Sequence, residues 1–266
     1  DIQGGYWTQC ASMPDAATAR TGASGFAIGE KGYITLGQDN SSNYLADTWE
    51  YDPATDTWTQ KDDYKGGARI SAIAFGIGQY GYVGTGYNGN YQKDFYRFDP
   101  QAAAGQQWEI VNGFGGQKRQ GGTSFVIDDK AYICCGVNNG SYVYDFWCFD
   151  PSTGVFTQLR DIADTSDDDY DDDYTSIVRA NAVSFVIDGK GYLVTGEYGS
   201  LLSNYWIYDP ATDLWEGEDL TAFEGSVRKN AVAFSTGTRG FVVTGQASSS
   251  YYDDTWELSP YEYEEE

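Results

Sequence analysis

The sequence predicts an all-β fold, a five-bladed β-propeller in which the N-terminal strand closes the ring by pairing with the C-terminal strands. Three observations predict it. A triplet recurs at Tyr51-Asp52-Pro53, Phe98-Asp99-Pro100, Phe149-Asp150-Pro151 and Tyr208-Asp209-Pro210, with a degenerate copy at Leu258-Ser259-Pro260; a period of roughly fifty residues marks a repeat architecture. Gly is abundant (33 copies), aromatics make up 17%, and Pro (6) and Met (1) are few, a mix that favours strands and tight turns over helices. The ends match as well. The fifth unit has no trailing aromatic, whereas Trp7-Thr8-Gln9 repeats Trp58-Thr59-Gln60 in register, so a strand at residues 4–11 can complete the last sheet and remove two open edges.

One domain over residues 1–266 follows, with units at about 13–62, 63–112, 113–160, 161–219 and 220–260. In each, a first strand runs from an Arg through small residues to a Phe, as in Arg69-Ile-Ser-Ala-Ile-Ala-Phe75. Small side chains suit a position near the axis, where wedge-shaped blades crowd together. A hairpin such as Ile187-Asp-Gly-Lys-Gly191 comes next, Asp-Gly favouring the primed turns. The second strand is Gly191-Tyr-Leu-Val-Thr-Gly196 and its equivalents. A third strand carries an acid or amide two before an aromatic: Asp47/Trp49, Asp94/Tyr96, Asp145/Trp147, Asn204/Trp206 and Asp254/Trp256. The fourth carries Trp58, Trp108, Phe156 or Trp215.

The Gly-Tyr-x-x-x-Gly strand, the Asp-x-aromatic, the Tyr-Asp-Pro and the trailing Trp resemble the kelch motif of the galactose oxidase and kelch-like propellers, five times over nearly the whole chain. The double Gly usual in that motif is here Leu36-Gly37, Thr85-Gly86, Cys135-Gly136, Thr195-Gly196 and Thr244-Gly245. Kelch rings more often have six or seven blades; the matched ends argue for five. The resemblance to kelch domains of bacterial exported proteins implies a periplasmic or cell-surface location, a lipid anchor on a segment outside this chain being one form of attachment. It also implies ligand binding on the face that carries the loops joining second to third strands.

Charge narrows the partners. With 16 basic against 40 acidic residues the formal charge is −24, which repels nucleic acid and anionic membrane surfaces. No apolar run reaches the ~18 residues of a membrane span. Cys10, Cys134, Cys135 and Cys148 form no C-x-x-C pair and read as small buried hydrophobes, with a bridge from Cys148 to Cys134 or Cys135 open because those segments should be adjacent strands.

Three features could carry function. Arg20, Arg69, Arg119, Arg179 and Arg228 each stand six residues before the blade's Phe, which places five of the eight arginines in one ring at the channel mouth. Two readings stand side by side: structural bridges to a neighbouring blade, or bidentate capture of an anionic group inside a locally positive funnel. The loops on that face, holding Asp39, Asn88, Asn138, Tyr198 and Gln246, are rich in Asn, Gln, Ser and Tyr, suited to adaptable hydrogen bonding and stacking against sugars or peptides. The run Asp164 to Tyr174 is an insertion of about ten residues between blades. It lacks the Gly and bidentate Glu of a Ca²⁺ loop and is expected to be solvated, mobile and metal-free.

Histidine is absent, which removes Ser-His-Asp triads, His-ligated metals and the usual general base. The expectation is a monomeric, non-catalytic binding propeller, with no cofactor or metal, taking a glycan or protein ligand with anionic groups on the arginine face. The alternatives are a carbohydrate-active enzyme of mutarotase or lyase type, and a scaffold domain of a longer surface protein.

Overall fold

The computed structural model describes residues 8–217 and 220–260, all β among those residues. Four sheets of four antiparallel strands follow in chain order. Blade 1 comprises Ser24–Ile28, Lys31–Thr35, Thr48–Asp52 and Thr57–Lys61; blade 2, Ile73–Ile77, Tyr80–Gly84, Phe95–Phe98 and Trp108–Val111. Blade 3 comprises Thr123–Ile127, Lys130–Cys134, Trp147–Asp150 and Val155–Gln158; blade 4, Val183–Ile187, Lys190–Val194, Tyr205–Asp209 and Leu214–Glu216. Blade 5 has three strands among the described residues: Val232–Ser235, Gly240–Val243 and Thr255–Leu258. The expected pairing of Trp7 with the strand around Trp256 lies outside the described residues.

The strands follow from their surroundings. Inner strands alternate, as in Ile73–Ile77 with Ile73, Phe75 and Ile77 buried, because one face meets the channel and the other packs inward. Second strands are buried on both faces, Ala131, Ile133 and Cys134 at 0% exposure, because each lies between two blades. The two-residue hairpin Asp188-Gly189 has φ of 48° and 73°, the primed turn whose twist matches its strands. In all five blades the inner-strand Phe stacks on the aromatic opposite it in register: Phe26 on Tyr33, Phe75 on Tyr82, Phe125 on Tyr132, Phe185 on Tyr192 and Phe234 on Phe241.

Blades join by a repeated lock. The inner-strand Phe of one blade presses on a second-strand glycine of the next: a Cβ built on Gly81, Gly191 or Gly240 would come 2.1 Å, 2.3 Å or 2.1 Å from the ring of Phe26, Phe125 or Phe185. In blade 3 the small residue is Ala131, packed in one cluster with Phe75.

The inner strand starts later than the sequence suggests. Two residues past each Arg the backbone turns left-handed, at Gly22, Ser71, Gly121, Asn181 and Asn230 (φ 53–64°), so the strand begins only beyond that point. These residues hydrogen-bond around the axis, Ser71 N to Gly22 O, Gly121 N to Ser71 O, Asn181 N to Gly121 O and Asn230 N to Asn181 O.

The cysteine bridge does not form, and all four thiols are free. Cys148 stands opposite Tyr132, two residues from Cys134 along the strand, so its side chain is not cross-strand to either partner.

Candidate functional site

Each arginine sits where its blade makes a tight turn. After the second strand come Leu36, Thr85, Cys135, Thr195 and Thr244, all with φ between 59° and 67°, each followed by a left-handed Gly. Only Gly fits that second place: a Cβ on Gly86 or Gly136 would lie 2.7 Å from the carbonyl oxygen of Ile70 or Gln120. The preceding non-Gly residue is held in a costly conformation, and its carbonyl is held by the arginine. Nη1 of Arg20, Arg69, Arg119, Arg179 and Arg228 donates to the oxygen of Leu36, Thr85, Cys135, Thr195 and Thr244 at 2.9–3.2 Å. Nε donates to the carbonyl two residues upstream in every blade.

The acid before the third strand completes the clamp. Arg20 forks onto Asp47 with two bonds of 2.6 Å, and Arg69 onto Asp94 at 2.5 and 3.1 Å; Arg119 meets Asp145, and Arg228 meets Asp254. Trp49, Trp147 and Trp256 donate their indole N–H to the same carboxylates at 2.6–2.9 Å. Burial would raise the Asp47 carboxyl, but bonds from Arg20 and Trp49 outweigh it and hold it below the usual range. Chiefly the Arg228 bond, with that of Trp256, brings Asp254 to about 2. Blade 4 departs: Asn204 replaces the acid, Arg179 bonds only carbonyl and amide oxygens, and burial pulls its guanidinium down to about 10.

This geometry overturns the anion funnel. Arg69, Arg119, Arg179 and Arg228 are 0% exposed and the bonds they make lie within their own blade, so no fork faces solvent. The expected side-chain bridge to a neighbouring blade is not formed either: the side chain clamps its own blade, and only the backbone carbonyl of Arg69, Arg119, Arg179 or Arg228 reaches across, accepting from Gly37, Gly86, Gly136 or Gly196 of the preceding blade.

The loops beyond the clamp form the accessible part of this face. Residues 21, 70, 120, 180 and 229, each following an arginine, pair through their backbones with 38, 87, 137, 197 and 246. The latter open short hairpins, such as Val137–Asn138 with Ser141–Tyr142. Of the expected residues, Asp39 caps its own loop, accepting from Ser41 N, Asn43 N and Asn43 Nδ2. Asn88 accepts from Gln92, and Asn138 from Asn139. Tyr198 is half exposed, its ring 4.6 Å from that of Tyr142 on the neighbouring blade, and Gln246 pairs through its backbone with Lys229. Tyr44 and Tyr87 meet across blades 1 and 2 in the same way, at 6.5 Å, and Tyr251 stands free at 82% exposure.

Sequence reading missed a polar cluster here: Lys229 Nζ bonds both Glu197 oxygens at 2.8–2.9 Å, and Asn181 Nδ2 bonds one. The available signal was position, since Lys229 follows an arginine and Asn181 stands two residues past one. Below the mouth, the axis holds a polar cavity of about 220 Å³ lined by Ser24, Thr123, Ser124 and Ser184 among other small residues.

The acidic insertion, expected to be solvated and mobile, is exposed at most of its residues but anchored at two. Asp171 is fully buried and accepts from Thr165 N, Ser166 N and Ser166 Oγ. Tyr174, five residues before Arg179, packs on Trp206 as Tyr64 packs on Tyr96, Phe114 on Trp147 and Phe223 on Trp256. The insertion delivers an aromatic to a seat that recurs in four blades. Asp164, Asp171 and Asp172 bring carboxylate oxygens within 4.8 Å of one another.

Five radial repeats, four of them four-stranded and the fifth three-stranded among the described residues, with a clamped turn in every blade, define the class of protein: a β-propeller. The kelch motif family model matches residues 118–161, the clamp and sheet of blade 3. The chain is similar to the solved structure of YjhT, with 19% identity and a TM-score of 0.67, over 85% of this chain and 72% of that one. No curated protein matches it. Among the described residues no helix is long and apolar enough to cross a membrane.

Proposed function

We propose that the protein is a non-catalytic binding propeller that takes a glycan or a protein segment on the face beyond the arginine clamps. The kelch fold itself fits a binding or scaffold role. The observation that carries the narrower reading is the set of tyrosines on the loop tips, Tyr142 against Tyr198 and Tyr44 against Tyr87, with Tyr198 and Tyr251 exposed. Exposed, rigid aromatic faces beside amide side chains supply stacking and hydrogen bonding at low entropic cost. Export to the periplasm or cell surface belongs to the same proposal and is supported by the resemblance alone.

A glycan array followed by calorimetry on its best hits tests the reading. Tyr198→Ala and Tyr142→Ala should each weaken binding by about 1–3 kcal/mol, the scale of a lost stacking anchor, with little change in melting temperature. Binding unaffected by both, or turnover of a bound sugar, would refute it.

A further inference from the structure

We infer that the flank between blades 5 and 1 is a docking seat for one further β-blade of the same repeat. At this flank both halves of the interblade lock are present and unpaired. Phe234, the inner-strand Phe of blade 5, is 48% exposed, against 4–9% for Phe26, Phe75, Phe125 and Phe185; Val232 beside it is 60% exposed, whereas its equivalent Val183 is 7%. Across the gap, a Cβ on Gly32 would meet nothing within 4 Å. Gly32 keeps the small residue that a neighbour's Phe demands, without the Phe.

The backbone bonds tell the same story. Gly37, Gly86, Gly136 and Gly196 donate to the arginine carbonyl of the next blade, and the left-handed residues link in series from Gly22 to Asn230. Among the described residues, Gly245 N makes no such bond to Arg20 O, nor Gly22 N to Asn230 O. The inner strands Ser24–Ile28 and Val232–Ser235 lack the packing that joins every other neighbouring pair.

What should fill the gap follows from the four interfaces that are complete. Each buries its Phe, with Phe26, Phe75, Phe125 and Phe185 at 4–9% exposure, although a cavity of about 640 Å³ adjoins Phe185 and Gly240 between blades 4 and 5. Joining blade 5 to blade 1 directly would shift these contacts, whereas a further blade would leave them in place. Its chemistry is specified at both edges: a glycine on its second strand to receive Phe234, a Phe on its inner strand to press on Gly32, and main-chain groups in the register of the existing bonds. An apolar flank of this kind left bare is a liability in water.

The test compares the chain as it stands with the same chain carrying a copy of its own residues 63–112 after Glu266. In the unextended chain Gly32→Leu should leave the melting temperature unchanged, while Gly81→Leu, which drives a side chain into Phe26, should lower it by about 2–12 °C. A cysteine at Val232, in a Cys10→Ser background, should react freely with a maleimide in the unextended monomer. The appended blade should raise the melting temperature and slow that labelling by about tenfold or more, as for a group that reacts only on local opening, and Gly32→Leu should abolish both effects. Gly32→Leu as damaging as Gly81→Leu in the unextended chain, or Val232→Cys already protected in the monomer, would mean that the ring closes on itself and would overturn the inference. Protection that appears only with rising concentration would assign the flank to a second copy, and an appended blade that neither stabilises nor protects would refute the seat outright.

Discussion

Arg119→Ala tests the clamp most directly. The guanidinium is 0% exposed; it donates to Gln117 O and Cys135 O, each at 3.2 Å, and to Asp145, whose side chain is 8% exposed. Alanine leaves that carboxylate without its counter-charge and frees the carbonyls of Gln117 and of the left-handed Cys135. Breaking a buried pair from one side costs about 3–5 kcal/mol. At about 2–4 °C per kcal/mol for a chain of this size, melting should fall by about 6–20 °C. Arg97→Ala is the control, because Arg97 pairs with an exposed Glu109 and such pairs are worth about 1 kcal/mol or less. Scanning calorimetry on both variants reads the difference, and sulfate added to the wild type should not raise its melting point through Arg119. Replacing both partners by apolar residues, Arg119→Met with Asp145→Leu, should recover part of the loss. Arg119→Ala melting within about 2 °C of wild type would refute the clamp, and sulfate stabilisation that disappears with Arg119 would restore the anion site.

Asn204→Asp should stabilise blade 4 and raise the melting temperature by a few degrees, because Arg179 is the one blade-opening arginine without a carboxylate among its partners; a lower melting point would show that the amide bond to Ser176 matters more. Acid unfolding should follow the clamps. A carboxyl depressed in the folded state contributes fully above its unfolded value of about 3.9 and loses that contribution as pH falls through its folded value. With Asp254 at about 2 and Asp47 also depressed, urea titrations should show stability falling as pH drops from about 4 toward 2, and Asp254→Asn should make that fall shallower. Millimolar Ca²⁺ should leave the melting temperature unchanged, since Asp171 already spends both oxygens on its own loop; a rise of several degrees would reveal a bound ion through mass action.

The fold was legible in the sequence because repetition repeats its physics. One Arg, one Phe, one Gly and one Asp- or Asn-x-aromatic at fixed spacing define a blade, and five copies define a radial array whose neighbours must pack alike. The strand pairing followed because side-chain period and turn chemistry are local properties. The role of the arginines was not legible, since spacing places a residue on a ring without saying whether its fork points inward or outward. Three-dimensional neighbours decided that: a left-handed carbonyl sixteen residues away and a carboxylate some ten beyond it consume the donors of Arg69. The acidic insertion misled for a similar reason. Its composition describes a solvated loop, but Asp171 is buried with its oxygens turned onto its own loop and Tyr174 packs on the buried Trp206, and burial is a property of the folded chain. Only the tertiary structure distinguished Gly32 from Gly81, identical in motif: one lies under a phenylalanine from the preceding blade and the other faces open space, because packing depends on which surface arrives and not on the residue that awaits it.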